Sequence, residues 1–178
     1  MHERRSYPLV LALGSNLGDR LRNFCFAARG LEKAGIHLEA FSSVVETPPI
    51  GYLDQPPFLN MVALASADLP PQRVLSIFQS VEERMGRTRD FPNAPRKLDL
   101  DLLFFKGRIL REEGLQVPHP RWKERSFVVR PLVEVSPHLR DPETGWQVHE
   151  VARFWPMEPQ ELQTVLSAEA FQKALAGS

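Results

Sequence analysis

Two helix-length segments, each flanked by apolar runs of strand length, fill most of the chain up to Phe105. Apolar residues three or four positions apart predict helices from about Asp19 to Ala34 and from Pro70 to Met85. Strands are predicted before, between and after these helices: Tyr7–Leu13, Ile36–Glu46, Phe58–Ala65 and the run that ends at Phe105. This βαβ–βαβ order is typical of a ferredoxin-like α+β sandwich, in which helices pack on one face of a mainly antiparallel sheet.

Glycine and proline mark the predicted boundaries of these elements. Gly14 and Gly18 predict a tight turn between the first strand and the first helix, and Gly35 and Gly86 are natural helix ends. The segment Thr47–Pro57 is predicted to be a loop, because its prolines lack the N–H group that a sheet ladder needs.

The rest of the chain is predicted to add smaller elements to the same fold. We expect an extra hairpin over Ile109–Val117, a short helix or strand over Ser126–Val135 and a turn at Asp141–Gly145. A weak helical stripe follows Pro159. The chain is therefore divided into one main domain, residues 1–156, and a C-terminal helical tail of that domain, residues 157–178.

Composition narrows the classes of function. The chain has 178 residues, enough for one domain with a core, and carries 22 basic and 22 acidic side chains, so net charge does not favour nucleic acid or an anionic membrane. The single cysteine, Cys25, cannot form an internal disulfide, and no cysteine–histidine cluster suggests zinc. The apolar run after Pro8 is too short for a signal peptide or a membrane span. These features predict a cytoplasmic protein.

Two aspartates one residue apart, Asp99 and Asp101, are the strongest functional signal. Alternate residues of a strand share a face, so both carboxylates are expected on one side, with Leu98, Leu100 and Leu102 anchoring the other side in a core. Solvated aspartates are the commoner reason for such a pair. However, aspartate is a poor strand former, and we expect Leu103 and Phe105 to continue the aspartate face as buried surface.

Basic residues are concentrated just before this pair, at Arg87, Arg89, Arg96 and Lys97. Two carboxylates that bind a hard divalent cation, next to guanidinium groups, suit a polyphosphate that needs magnesium on one side and arginine on the other. The glycine-rich loops that usually hold nucleotides are missing from the sequence. Any bound ATP is therefore expected to be held by metal and side chains.

Five motifs occur in an order that identifies a family. They are Leu13-Gly14-Ser15-Asn16-Leu17-Gly18-Asp19, Glu46-Thr47-Pro48-Pro49-Ile50-Gly51, Gln55-Pro56-Pro57-Phe58-Leu59-Asn60, Pro95-Arg96-Lys97-Leu98-Asp99-Leu100-Asp101 and Val117-Pro118-His119-Pro120. With these motifs, the sequence closely resembles 6-hydroxymethyl-7,8-dihydropterin pyrophosphokinase of folate biosynthesis over about Tyr7–Glu150. The family's ferredoxin-like fold agrees with the predicted order of elements.

The resemblance implies a reaction and a set of site residues. The reaction is the transfer of pyrophosphate from ATP to the hydroxymethyl group of the pterin, with release of AMP. Asp99 and Asp101 would bind two magnesium ions, and Arg87 and Arg96 would hold phosphates as catalytic residues. The ATP site would include these arginines together with Gln79, Glu82, Leu102 and His119.

On the acceptor side, the resemblance implies that Phe58 and Phe127 sandwich the pterin ring. Asn60 and groups near the start of the proline-rich loop would read the hydrogen-bonding edge of the ring, and Arg125 would lie nearby. The implied pterin residues are Thr47, Pro48, Ile50, Phe58, Asn60, Arg125 and Phe127. From the residues alone, His119 is more simply a structural loop histidine, Gln79 and Glu82 are surface polar residues, and both phenylalanines are core residues.

Two other hypotheses stay open on the sequence. The aspartate pair could serve another two-metal, nucleotide-dependent transferase, or it could belong to a ferredoxin-like binding module. The aromatic pair favours a flat acceptor over the first of these, and the basic cluster favours a phosphate-handling enzyme over the second. We expect small-molecule partners only, with no nucleic acid or membrane, in a monomer or a weak homodimer.

Overall fold

The computed structural model describes residues 8–87, 90–157 and 160–178. Tyr7 of the predicted first strand and Arg89 of the predicted basic cluster lie outside the described residues. The helices are α1 (Arg20–Lys33), α2 (Pro71–Arg84), α3 (Ser126–Val135), α4 (Val148–Phe154) and α5 (Ala168–Gly177). The strands are β1 (Leu9–Ser15), β2 (His37–Phe41), β3 (Val44–Thr47), β4 (Phe58–Ser66), β5 (Asp99–Phe105), β6 (Leu110–Glu112), β7 (Leu115–Val117) and β8 (Gln163–Leu166).

The main sheet confirms the predicted fold class. Its strands lie in the order β5–β1–β4–β3–β8, with β2 also paired to β4, and every pairing among the described strands is antiparallel. With β2 and β3 as the two halves of one strand position, β1, β4 and β5 take the arrangement of a ferredoxin-like sheet. The predicted extra hairpin is present as β6–β7. None of the helices in these ranges is long and apolar enough to cross a membrane.

Apolar side chains cover both faces of this sheet: α1 and α2 pack on one face, as predicted, and the later helices α3 and α4 pack on the other. On one side, Leu9, Leu11 and Leu13 of β1 pack in a core with α1, α2 and Phe171 of α5. On the other side, Val10 of β1 lies in a second core with residues of α3 and α4. A sheet that is apolar on both faces must be covered on both, and the chain beyond β5 provides the second cover.

The two predicted helices form close to their expected bounds because both carry clear end signals. The Asp19 side chain caps α1 by accepting a hydrogen bond from the Arg22 N–H at 3.1 Å, and the helix ends just before Gly35, whose φ is +89°. Helix α2 begins with Pro71 at its first position, where the missing N–H costs nothing. Its predicted stripe is buried at Val74, Phe78 and Val81.

One strand prediction and one helix prediction need correction. The predicted strand Ile36–Glu46 is interrupted at Ser42, whose N–H donates to the Val62 carbonyl and whose Oγ accepts from the Val62 N–H, both at 2.9 Å. The side chain thus replaces one ladder contact, and the strand divides into β2 and β3. The helical prediction for the tail is correct for α5 and wrong for Gln163–Leu166, which pairs with β3 as β8.

A bulge in β5 changes one further prediction. Leu11 pairs with Leu102 and the preceding Val10 pairs with Phe104, so Leu103 is an extra residue in β5. Leu103 and Phe104 both belong to the second core, whereas Phe105 belongs to the core beneath α1 and α2. The expectation that Phe105 continues the aspartate face was therefore wrong, because the extra residue inverts the alternation. Ser126–Val135, left open as helix or strand, is the helix α3.

Candidate active site

The candidate site lies where β1, β4 and β5 end together. Gly14 of β1 pairs with Asn60 of β4 on one side and with Asp99 of β5 on the other. A Cβ at Gly14 would lie 3.3 Å from Asn60 Oδ1 and 3.7 Å from Asp99 Cβ, so the absence of a side chain at Gly14 lets these two residues lie close on either side of it. Gly18 has the positive φ of the predicted turn, +71°, but Gly14 lies within β1, and its predicted role as a turn residue was wrong.

Three arginines meet the aspartate pair. Arg87 Nη1 lies 2.9 Å from Asp99 Oδ1, and Arg96 Nε lies 3.6 Å from Asp99 Oδ2. Arg125 Nη1 lies 3.5 Å from Asp101 Oδ2. The structure therefore places both aspartates among guanidinium groups from two connections: Arg87 and Arg96 lie between α2 and β5, and Arg125 lies directly before α3.

The same arginines connect the aspartates to the two aromatic residues. The Arg96 guanidinium lies 5.4 Å from the centre of the Phe58 ring, and that of Arg125 lies 5.8 Å from the centre of the Phe127 ring. Each aspartate is thus joined through one arginine to one ring. The predicted phosphate residues and the predicted ring-binding residues form one continuous site.

Glu82 supports this arrangement from α2, where it is buried, so its prediction as a surface residue was wrong. Its Oε1 accepts a hydrogen bond from the Leu100 N–H at 2.8 Å, and its Oε2 pairs with the Arg87 guanidinium. Burial raises the pKa of Glu82, and the hydrogen bond from Leu100 and the charge of Arg87 oppose this rise. Glu82 holds β5 to α2 and orients Arg87 towards Asp99.

The position of Leu102 in β5 limits which of its atoms can contact a ligand. Its side chain is 4% exposed and belongs to the main core. Because the Leu100 N–H points away from β1 towards Glu82, the backbone groups of Leu102, two residues further on, point to the same edge. Only the backbone of Leu102 is placed to meet a ligand. Gln79 is exposed on α2, one turn before Glu82.

The aspartate pair has the electrostatics of a cation site. Burial, and then the charge of Asp99, raise the pKa of Asp101 to about 6, and Arg125 opposes this rise. Two such carboxylates on one face fit a hard divalent cation, whose remaining ligands would be phosphate oxygens and water. Within the described ranges, no group of three or more histidine, cysteine, aspartate or glutamate side chains could hold a metal.

Arg96 carries a second sign of an anionic ligand. Its buried Nε has no hydrogen-bond acceptor among the described residues, whereas buried donors in proteins are usually satisfied. Arg87 and Arg96 also line a cavity of about 460 Å³ together with Asp90, Phe91, Pro92, Asn93 and Ala94. A cavity of this size, next to an unsatisfied guanidinium donor, is suited to a phosphate-bearing ligand.

The acceptor side is built on the β3–β4 pair. Asn60 Nδ2 donates to Thr47 Oγ1 at 2.9 Å, and both residues are buried. The Asn60 amide is thereby oriented with Oδ1 towards Gly14. Phe58, which pairs with Thr47, and Phe127 at the start of α3 are both half-buried. Pro48 and Ile50 are exposed in the loop that follows β3.

His119 is held close to the aspartate strand. Its backbone N–H donates to the Leu103 carbonyl at 2.8 Å, and its ring Nδ1 accepts from the backbone N–H of Arg121 at 3.1 Å. Burial, and then the charges of Arg125 and Arg121, lower the pKa of His119 to about 4. The imidazole is therefore neutral at pH 7, with a proton on Nε2 that it can donate.

This pKa predicts how stability depends on pH. Between pH 6.5, the ordinary pKa of histidine, and about pH 4, the unfolded chain binds a proton at His119 that the folded chain does not bind. We expect the free energy of unfolding to fall with decreasing pH in this window more steeply in the wild type than in His119→Asn, whose Oδ1 can still accept from Arg121. Urea titrations at several pH values measure this difference, and parallel profiles would contradict the prediction. The raised pKa of Asp101 acts in the opposite direction, equally in both proteins.

Comparisons with known proteins identify the family of this chain. A family model described as 7,8-dihydro-6-hydroxymethylpterin-pyrophosphokinase (HPPK) matches residues 10–137. The chain belongs to this pyrophosphokinase family. The 2-amino-4-hydroxy-6-hydroxymethyldihydropteridine pyrophosphokinase of Bacillus subtilis is 40% identical over 147 residues, which are 82% of this chain and 88% of the relative.

Two further matches are to longer proteins. The mitochondrial folate synthesis bifunctional protein of Pisum sativum is 42% identical over 136 residues, which are 76% of this chain and 26% of that protein. A crystal structure of wild-type Plasmodium falciparum HPPK-DHPS with STZ-DHP has a TM-score of 0.67 at 14% identity, over 86% of this chain and 44% of that chain. This chain thus spans about a quarter of the plant relative, and the likeness to the solved structure concerns the fold.

Some residues of the site had no predicted role. Asn16 is buried, donates from Nδ2 to Gln55 Oε1 at 2.8 Å and accepts at Oδ1 from the Arg96 N–H at 2.8 Å. Arg20 Nη1 lies 2.8 Å from Glu46 Oε2 and donates to the Pro57 carbonyl at 3.0 Å. Together they fix the proline-rich loop and the backbone of Arg96. The presence of Asn16 in the first motif was the only signal in the sequence, because the partners of both residues are distant along the chain.

Proposed function

We propose that this protein transfers the terminal pyrophosphoryl group of ATP to the hydroxymethyl group of 6-hydroxymethyl-7,8-dihydropterin, giving AMP and the pterin diphosphate, in folate biosynthesis. In this reaction the alcohol oxygen loses its proton and bonds to the β-phosphorus of ATP. The bond between the β-phosphorus and the oxygen that bridges it to the α-phosphorus breaks, and AMP leaves. Membership of the pyrophosphokinase family, together with the joined aspartate, arginine and aromatic residues, supports this proposal.

Asp99 and Asp101 are the residues that would hold two magnesium ions. When bound, the ions would neutralise phosphate charge and polarise the attacked phosphorus and the alcohol. The protein supplies two carboxylates on one face of β5, so the remaining ligand positions are left for the triphosphate and water. Metal and nucleotide are therefore expected to bind together.

The arginines position the phosphates. The backbone of Arg96 is held by Asn16, and its buried Nε makes no hydrogen bond and lies 3.6 Å from Asp99 Oδ2, so its guanidinium stays close to the aspartate pair. Arg87 is oriented by Glu82. The neutral His119 adds the Nε2 proton as a hydrogen-bond donor. Transfer of this kind depends mainly on positioning and charge neutralisation, which these donors provide without reorganisation.

The acceptor pocket offers complementary groups to a pterin. Phe58 and Phe127 present ring surfaces, and a flat heterocycle gains about 1 kcal/mol from each aromatic contact. Because Nδ2 of Asn60 is already bonded to Thr47, its Oδ1 is left to accept from an N–H of the ring. Only Gly14 separates Asn60 from Asp99 across the sheet, so a ring bound at Asn60 would have its hydroxymethyl group near the aspartates.

An assay of the products tests the proposal. Protein is mixed with ATP, magnesium chloride and 6-hydroxymethyl-7,8-dihydropterin, and nucleotides are separated by chromatography. We expect AMP to form only when the pterin is present. The matched control is 6-methyl-7,8-dihydropterin, which keeps the ring and lacks the hydroxyl, and which should give no AMP. Formation of ADP, or AMP formation independent of the hydroxyl, would overturn the proposal.

The cytoplasmic location stays a prediction, for which cell fractionation is the test.

A further inference from the structure

We infer that Gln160 is a positioning residue for the pterin acceptor, and that it acts by holding the two walls of the acceptor pocket at a fixed separation. The inference rests on the proposed function. It concerns the C-terminal strap, defined as residues 160–178, which lies beyond the part of the chain that the family model matches.

One side chain joins the two walls. Gln160 Oε1 accepts a hydrogen bond from the Ser126 hydroxyl at 3.2 Å, and its Nε2 donates to the Pro48 carbonyl at 3.4 Å. Ser126 directly precedes Phe127 and is buried at the start of α3. Pro48 directly follows Thr47, which pairs with Phe58. Gln160 therefore lies between the segment that carries one ring and the segment that carries the other.

The strap that carries Gln160 is itself firmly placed. Its strand β8 pairs with β3, with Thr164 opposite Val45 and Gln163 opposite Glu46. Its helix α5 inserts Phe171, which is fully buried, against the rings of Phe24 and Phe41. A residue at the start of such a strap has little freedom to follow a moving loop. Gln160 can therefore hold the Pro48 end of the loop in place.

The separation of the two pocket walls matters because the phenylalanine on each wall stacks on the pterin. Stacking on both faces of a flat ring requires both phenylalanines within contact distance of it at the same time. At its other end, α3 is already tied to the sheet, since Glu134 Oε2 accepts from the N–H and the hydroxyl of Ser43, both at 2.9 Å. The Gln160 bridge secures the end of α3 that faces the pocket. Its loss should weaken ring binding in the ground state and the transition state equally.

The test is a comparison of steady-state constants. Gln160→Met keeps the length of the side chain and removes both hydrogen bonds. We expect the KM for the pterin to rise about five- to tenfold, the size of one or two lost hydrogen bonds, with kcat and the KM for ATP within about twofold. Ser126→Ala should raise the pterin KM in the same way, and the double variant should be no worse than Gln160→Met alone, because both remove one bridge.

Gln163→Met is the matched control, since it changes the same residue type on the same strap at an exposed position of β8. It should leave all three constants unchanged. If the wild type shows no pterin-dependent AMP, the proposed function fails and this inference falls with it. If the wild type is active and Gln160→Met leaves the pterin KM unchanged, or raises both KM values in parallel, the inference alone is overturned. Melting temperatures of the variants separate a general loss of stability from the specific effect.

Discussion

Asp99→Asn and Asp101→Asn are each expected to lower turnover about a thousandfold, which is the scale on which removal of one essential electrostatic group acts. Both substitutions keep the size of the side chain and remove a negative oxygen from the cation site. The two carboxylates share one face of β5, and within the described residues no third acidic or histidine ligand groups with them. Neither variant therefore has a ready substitute for the lost ligand.

The folded state should survive both substitutions. At pH 8 the ionised Asp101 opposes folding, because its pKa is raised to about 6 in the native protein. Asp101→Asn should therefore leave the free energy of unfolding unchanged or raise it. In Asp99→Asn, Arg87 keeps its pairing with Glu82. Circular dichroism and urea unfolding check the fold, and AMP formation at saturating magnesium measures turnover.

A carboxylate far from the site provides the control for this pair. Asp68 is exposed just before α2, at the other end of the sheet from the aspartate pair, and Asp68→Asn should keep wild-type turnover. Turnover near the wild-type rate in Asp99→Asn or Asp101→Asn would contradict the metal assignment. It would favour the view that the aspartates are counter-charges for Arg87, Arg96 and Arg125.

Phe127→Ala is expected to weaken pterin binding about tenfold to a hundredfold, with ATP binding changed less than about twofold. The estimate combines the loss of one stacking face with the loss of apolar contact area. Phe127 is half-buried, with its ring beneath the Arg125 guanidinium and against the second core. Calorimetric titration with the pterin, and separately with ATP and magnesium, measures the two affinities.

Two further variants separate stacking from packing. Phe127→Tyr keeps the ring and should bind the pterin as the wild type does, whereas Phe127→Leu keeps contact with the core and loses the flat surface. Phe154→Ala removes an aromatic side chain that is 62% exposed in α4 and should change neither affinity. Equal losses of pterin and ATP affinity in Phe127→Ala would contradict the stacking role.

Much of the fold could be predicted from the sequence because burial leaves a local periodic pattern. The apolar spacing in α1 and α2 and the end signals at Asp19, Pro71 and Gly35 depend only on neighbouring residues. The break at Ser42 could not be predicted in this way. It depends on Val62, a residue of β4 that reaches Ser42 only after the sheet has formed.

For the candidate site, too, some features could be predicted from the sequence and others could not. The alternation of Asp99 and Asp101 predicts two carboxylates on one face, and the bulge that redirects Phe105 begins only after them. The basic segment before them predicts cations nearby. The pairing of each arginine with its aspartate and its ring depends on how the loops that carry these residues meet at the end of the sheet. Those distances cannot be predicted from the local sequence pattern.

By itself the sequence determined the strand and helix order, the buried stripes and the aspartate pair, because each follows from the chemistry of residues close together in the chain. Three arrangements depend on the tertiary structure: Gly14 lies between Asn60 and Asp99, Asp99 pairs with Arg87 and Arg96, and Gln160 joins Ser126 to Pro48. These contacts join residues far apart in the chain. They arise only when packing of both sheet faces has brought the ends of the strands and the C-terminal strap together.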